Sequence, residues 1–74
     1  MSRLIRMDHS GHTTVAQWNA EDPASVRDAI AAFRDELDQG YFAVVSDRQG
    51  GAEQVRELPL DAPLVILRRP IAGG

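Results

Sequence analysis

Cysteine is absent from this 74-residue chain. Its absence excludes disulfides, thiolate metal centres and cysteine nucleophiles, and it is consistent with a cytoplasmic location. Lysine is absent as well: all eight basic residues are arginine, so the only primary amine is that of the N-terminus. Aromatic residues make up 5% of the chain and are not interleaved with basic ones. Trp18, Phe33, Tyr41 and Phe42 therefore read as core or core edge rather than as a base-stacking platform. Positive charge is in deficit: eight arginines face eleven acidic residues, for a net charge of −3 and a pI near 5.1. A nucleic-acid partner calls for a basic excess, so none is expected. No apolar run approaches the roughly 20 residues of a membrane span. Arg3, Arg6 and Asp8 interrupt the N-terminal apolar residues where a secretory leader would have its core. A chain this short makes one small domain and buries only about 60% of its unfolded surface. That leaves little room for a deep catalytic cavity, and no acid–base pair stands out. The chain is expected not to be an enzyme and to hold no cofactor.

What is present orders itself clearly. RLIRM (3–7) and TTVAQW (13–18) are rich in branched and aromatic residues and read as strands. Asp8-His9-Ser10-Gly11 between them reads as a hairpin turn. A helix over roughly 23–39 follows. Asp22 serves as N-cap, Pro23 takes the first helical position, Val26, Ile30, Phe33 and Leu37 form an apolar stripe, and Gly40 ends it. YFAVVS (41–46) is a third strand and AEQVREL (52–58) an edge strand, with a turn around Gly50-Gly51 between them. LVIL (64–67) is apolar without alternation, which places it in the middle of a sheet. The order ββαβββ predicts an α+β domain: a mixed sheet of four to five strands with one helix packed across it. In the small fold with this order, the β-grasp, the first and last strands pair in parallel beneath the helix.

The chain as written finishes PLVILRRPIAGG. In layout, length and ending it resembles the ubiquitin-like β-grasp family across nearly its whole extent. The tail is most similar to the sulfur-carrier branch, the small subunit of molybdopterin synthase and the thiamine sulfur carriers. Leu64 to Leu67, Pro70, Ile71, Ala72, Gly73 and Gly74 carry that likeness. Arg69-Pro70 stands where the branch often has two prolines, LPLDAPL stands where the family often has an acidic glycine turn, and the N-terminal hairpin matches neither branch closely. The resemblance implies a domain over 1–69 and a flexible diglycine tail over 70–74. It implies an adenylating enzyme that uses ATP as partner, with an isopeptidase or a sulfur-acceptor protein as further partners. Gly73 and Gly74 would be the activation or conjugation tail, because glycine lets a backbone thread a narrow channel to the nucleotide. Arg68, Arg69, Pro70, Ile71 and Ala72 would support the tail or touch the partner. Sulfur transfer and protein conjugation both remain open, and a β-grasp interaction module with no tail chemistry is the alternative. A modifier of this composition could build no chains through its own side chains, since it offers no ε-amine.

Other constellations carry less. His9 and His12 flank Ser10-Gly11 after Asp8, but a tight hairpin is a poor metal cage and a fourth ligand is missing, so no metal is expected. Asp35, Glu36 and Asp38 read as a solvated acidic face. Gly50-Gly51 lacks the lysine and helix of a phosphate loop.

Overall fold

The N-terminal hairpin closes on a side chain. In the computed structural model, which describes residues 1–46 and 49–69, the Asp8 carboxylate accepts hydrogen bonds from the Ser10 amide (2.9 Å) and the Ser10 hydroxyl (2.7 Å). This local competition with the ladder turns the chain over His9 and Ser10 alone. The strands on either side are accordingly longer than their apolar runs: β1 spans Ser2–Asp8 and β2 spans Gly11–Trp18. Their register shifts between Leu4 and Ile5, where Leu4 faces Ala16 and Ile5 faces Thr14. The extra residue, Val15, packs toward the core.

Helix α1 spans Pro23–Asp38. The Asp22 side chain accepts from the Ala24 amide at its start (3.2 Å). At its end Gly40 adopts φ +102°, its amide donates to Leu37 O (3.0 Å), and the Tyr41 amide donates to Glu36 O (3.2 Å). That pair of bonds is a Schellman motif, and it needs the left-handed backbone that glycine supplies without strain. It also fixes Tyr41 against the last turn of α1.

Strands β3 (Phe42–Ser46), β4 (Ala52–Val55) and β5 (Leu64–Arg68) complete a five-stranded mixed sheet of order β2-β1-β5-β3-β4. β1 and β5 are parallel and every other pair is antiparallel. β5 is central and β4 lies on an edge, as their side-chain patterns require. β4 is shorter than the expected 52–58. After Val55 the chain leaves the ladder, and Leu58 turns to pack against the core. One helix over a mixed five-stranded sheet is an α+β architecture, and it is compatible with a β-grasp. No described helix is long and apolar enough to cross a membrane.

The core lies between α1 and one sheet face: Leu4, Trp18, Ala29, Phe33, Ala43, Val65 and Leu67 are buried. The leucine, valine and phenylalanine side chains among them each gain about 1.5–3 kcal/mol from burial. Trp18 Nε1 donates to Leu60 O (3.1 Å), which satisfies the indole and ties down the connection before β5. The buried seam of α1 differs from the expected stripe. It runs through Ala29, Phe33 and Glu36, while Val26, Ile30 and Leu37 are half-buried flanks. Small Ala29 on the seam permits close helix–sheet approach, and the larger apolar residues wrap the sides. The expectation that Glu36 belongs to a solvated acidic face is therefore corrected: Glu36 is 5% exposed. Pro70 to Gly74, and with them the expected flexible tail, lie outside the described residues, as do Asp47 and Arg48.

Candidate functional site at the end of the central strand

Strand alternation sorts the side chains of this end of the sheet. Leu4 and Arg6 lie two residues apart on β1 and share the face that α1 covers, so an arginine is carried beneath the last turn of the helix. Glu36 reaches it: Arg6 Nη1 donates to Glu36 Oε1 at 2.7 Å. The Arg6 side chain keeps 32% of its surface exposed, whereas the Glu36 side chain keeps 6%. Among the described residues, the second carboxylate oxygen, Oε2, is buried without a hydrogen-bond partner. Arg6 also lies over the Tyr41 ring, with its guanidinium carbon 5.6 Å from the ring centre.

Arg68 ends β5 and Arg69 follows it, both exposed. The Arg69 guanidinium carbon lies 5.5 Å from the centre of the same Tyr41 ring. Tyr41 is thus the common neighbour of two arginines, one from the start of the chain and one from the end of its last strand. Met7, Asp8, His9, Tyr41, Arg68 and Arg69 line an open cleft of about 590 Å³ here. The Asp8 carboxyl is held below its ordinary value of 3.8, chiefly by the Ser10 hydroxyl hydrogen bond and then the Ser10 amide, with the charges of His9 and Arg6 adding to them. Asp8 is committed to its own turn rather than to the arginines across the cleft.

Of the residues expected from sequence to form the site, Arg68 and Arg69 border this cleft, while Pro70, Ile71, Ala72, Gly73 and Gly74 lie outside the described residues. His9 sits in the turn and His12 on β2, opposite Met7. Among the described residues no cluster of three or more metal-ligating side chains occurs. Sequence reasoning missed Arg6, Glu36 and the place of Tyr41. The spacing allowed for them without singling them out. Glu36 stands three residues after Phe33 and seven after Ala29, on one helical seam, and Arg6 stands two after Leu4, in the inward phase of β1.

Other surfaces are shaped as well. On the sheet face away from α1, Phe42, Val44, Ile66 and Arg68 border a groove of about 490 Å³. At the opposite end of the sheet, Pro23, Val26, Ile30 and Leu60 border an apolar groove of about 400 Å³. No family model, curated protein or solved structure matches the chain.

Proposed function

We propose that this domain is a carrier or modifier of the ubiquitin-like β-grasp type, most similar in its tail to the sulfur carriers, and that its reacting group is the carboxylate of Gly74. In that chemistry a carboxylate oxygen attacks the α-phosphorus of ATP on an adenylating partner, and pyrophosphate leaves. A sulfur nucleophile then attacks the acyl carbon and AMP leaves. With hydrosulfide as nucleophile the product is a thiocarboxylate; with a partner's thiol it is a thioester, whose acyl group passes to a target amine as the thiol leaves. The protein supplies the carboxylate and a surface for the partner, and no catalytic side chain is required of it.

The observation that carries the reading is where β5 ends. It is the central strand, paired with β1 over residues 64–67 and with β3 over residues 66–68. Its last residues, Arg68 and Arg69, emerge exposed beside an open cleft, with Pro-Ile-Ala-Gly-Gly still to follow in sequence. A segment that must be drawn into a partner's active site is well served by departing from the most firmly paired strand of the sheet. Among the described residues Arg68 makes no ion pair, which leaves its charge for an acidic partner surface.

The interaction-module reading draws on the groove of Phe42, Val44 and Ile66 across the open sheet face. One experiment separates the two. The protein purified from its native host is weighed intact, before and after incubation with host extract, ATP and a sulfur source. The carrier reading expects a chain ending at Gly74 that gains the mass of an oxygen-to-sulfur exchange, or appears joined to another protein. Deletion of Gly73 and Gly74 abolishes either product while leaving the melting temperature unchanged. A deletion variant that still sustains the cellular role rejects tail chemistry in favour of the interaction module.

A further inference from the structure

The two adjacent arginines at the end of β5 face different ways. Arg68 stands in register with Phe42, next to the Val44–Ile66 pair, on the sheet face away from α1. Leu67 before it is fully buried on the α1 side. Arg69 returns to that side and meets Tyr41, itself packed against the core. Behind Tyr41 stands a fixed series of contacts. Its amide donates to Glu36 O at 3.2 Å, Glu36 is buried and bound to Arg6 at 2.7 Å, and Arg6 lies over the same ring. An aromatic ring so held offers an arginine a defined resting place, whereas a strand end alone would leave its side chain in water.

We infer that Tyr41, backed by the Arg6–Glu36 pair, is a positioning residue that anchors Arg69 and so sets where the following segment leaves the fold, while Arg68 is left for the acidic surface of a partner. The two arginines divide two tasks that their sequence adjacency suggests they share. What the anchor serves rests on the carrier reading, whereas the anchor itself does not. Anchoring lowers the conformational freedom that Arg69 loses when a partner binds, so its loss is felt as weaker productive binding rather than slower chemistry.

The test uses the full chain and four variants, Tyr41→Phe, Tyr41→Leu, Arg69→Gln and Arg68→Gln, each checked for an unchanged fold by its melting temperature. The first readout is the NMR shift of the Arg69 δ protons. Wild type and Tyr41→Phe show them displaced upfield by the ring, and Tyr41→Leu returns them to the free value. Undisplaced protons in wild type overturn the anchor. The second readout is adenylation by the cognate enzyme. Tyr41→Leu and Arg69→Gln raise KM about two- to fivefold, the range expected for one exposed cation–π contact, with kcat kept, and Tyr41→Phe behaves as wild type. Arg68→Gln alone flattens the dependence of KM on salt. Equal flattening in Arg68→Gln and Arg69→Gln overturns the division of tasks. If the ring shift is present and no enzyme activates the chain, the carrier reading fails and the anchor stands.

Discussion

Replacing Arg6 should hurt this protein more than replacing Glu36, although each change breaks the same 2.7 Å ion pair. The reason is the unequal burial of the partners. The Glu36 side chain is 6% exposed and, among the described residues, one of its oxygens has no partner, so its charge is poorly solvated if Arg6 is removed. Breaking a buried pair in this way costs about 3–5 kcal/mol, because an uncompensated charge is left inside. Arg6 is about one-third exposed, so the local environment is partly wet and solvent screening shifts that cost downward, to about 2–4 kcal/mol for Arg6→Met. Glu36→Leu leaves the arginine, which can swing its guanidinium into solvent on its long stem, and it adds an apolar side chain to the seam of α1. Its cost should be about 1 kcal/mol or less. Combining Arg6→Met with Glu36→Leu removes both charges and should return stability to within about 1 kcal/mol of wild type. A chain of this length is stable by roughly 4–11 kcal/mol in all, so the single arginine change is a large fraction of the total. With a urea m-value of about 1 kcal/mol/M for so small a domain, a loss of 2 kcal/mol lowers the midpoint by about 2 M, which equilibrium urea titration resolves easily. If Glu36→Leu proves the more damaging single change, or the double variant is worse than either single one, the burial argument is wrong.

Two further outcomes follow from the core and the hairpin. Phe33→Ala should cost about 3–5 kcal/mol, since Phe33 is 1% exposed at the centre of the helix–sheet interface; a loss below about 1 kcal/mol in urea would show that the seam of α1 is misplaced. The turn contribution of Asp8 should be present above the ordinary carboxyl value of 3.8 and disappear as pH falls through the lowered folded-state value, because the unfolded chain takes up the proton first. Melting temperatures followed from neutral pH into strong acid should therefore fall less steeply for Asp8→Asn, which keeps an acceptor for Ser10 and cannot titrate; parallel curves would refute the assignment.

Local chemistry made much of the architecture legible in the residues alone. Asp22-Pro23 and Gly40 mark the two ends of α1 because they act on backbone groups within a turn of themselves. Leu64 to Leu67 announce a central strand because an unbroken apolar run belongs in the middle of a sheet, although burial there still alternates: Val65 and Leu67 are buried under α1, and Leu64 and Ile66 are half-buried on the other face. The length of β4 was not legible, because Leu58 leaves the ladder to meet a core assembled from distant segments. Nor was the seam of α1. Val26, Ile30, Phe33 and Leu37 and the set Ala29, Phe33 and Glu36 are both good helical stripes, and only the sheet beneath decides which faces inward. An acidic residue in a helix reads as solvated until the chain brings it a cation. Arg6 is thirty positions away from Glu36, and the arginine arrives because β1 lies under the last turn of α1. The same holds for the end of β5. Sequence places Arg68 and Arg69 side by side, but strand alternation and the ring of Tyr41 send them to opposite faces of the sheet. Propensities, caps and turns act over a few residues and can be read along the chain. The partners of a buried charge, and the face to which a side chain is committed, depend on contacts that close only when the sheet is assembled.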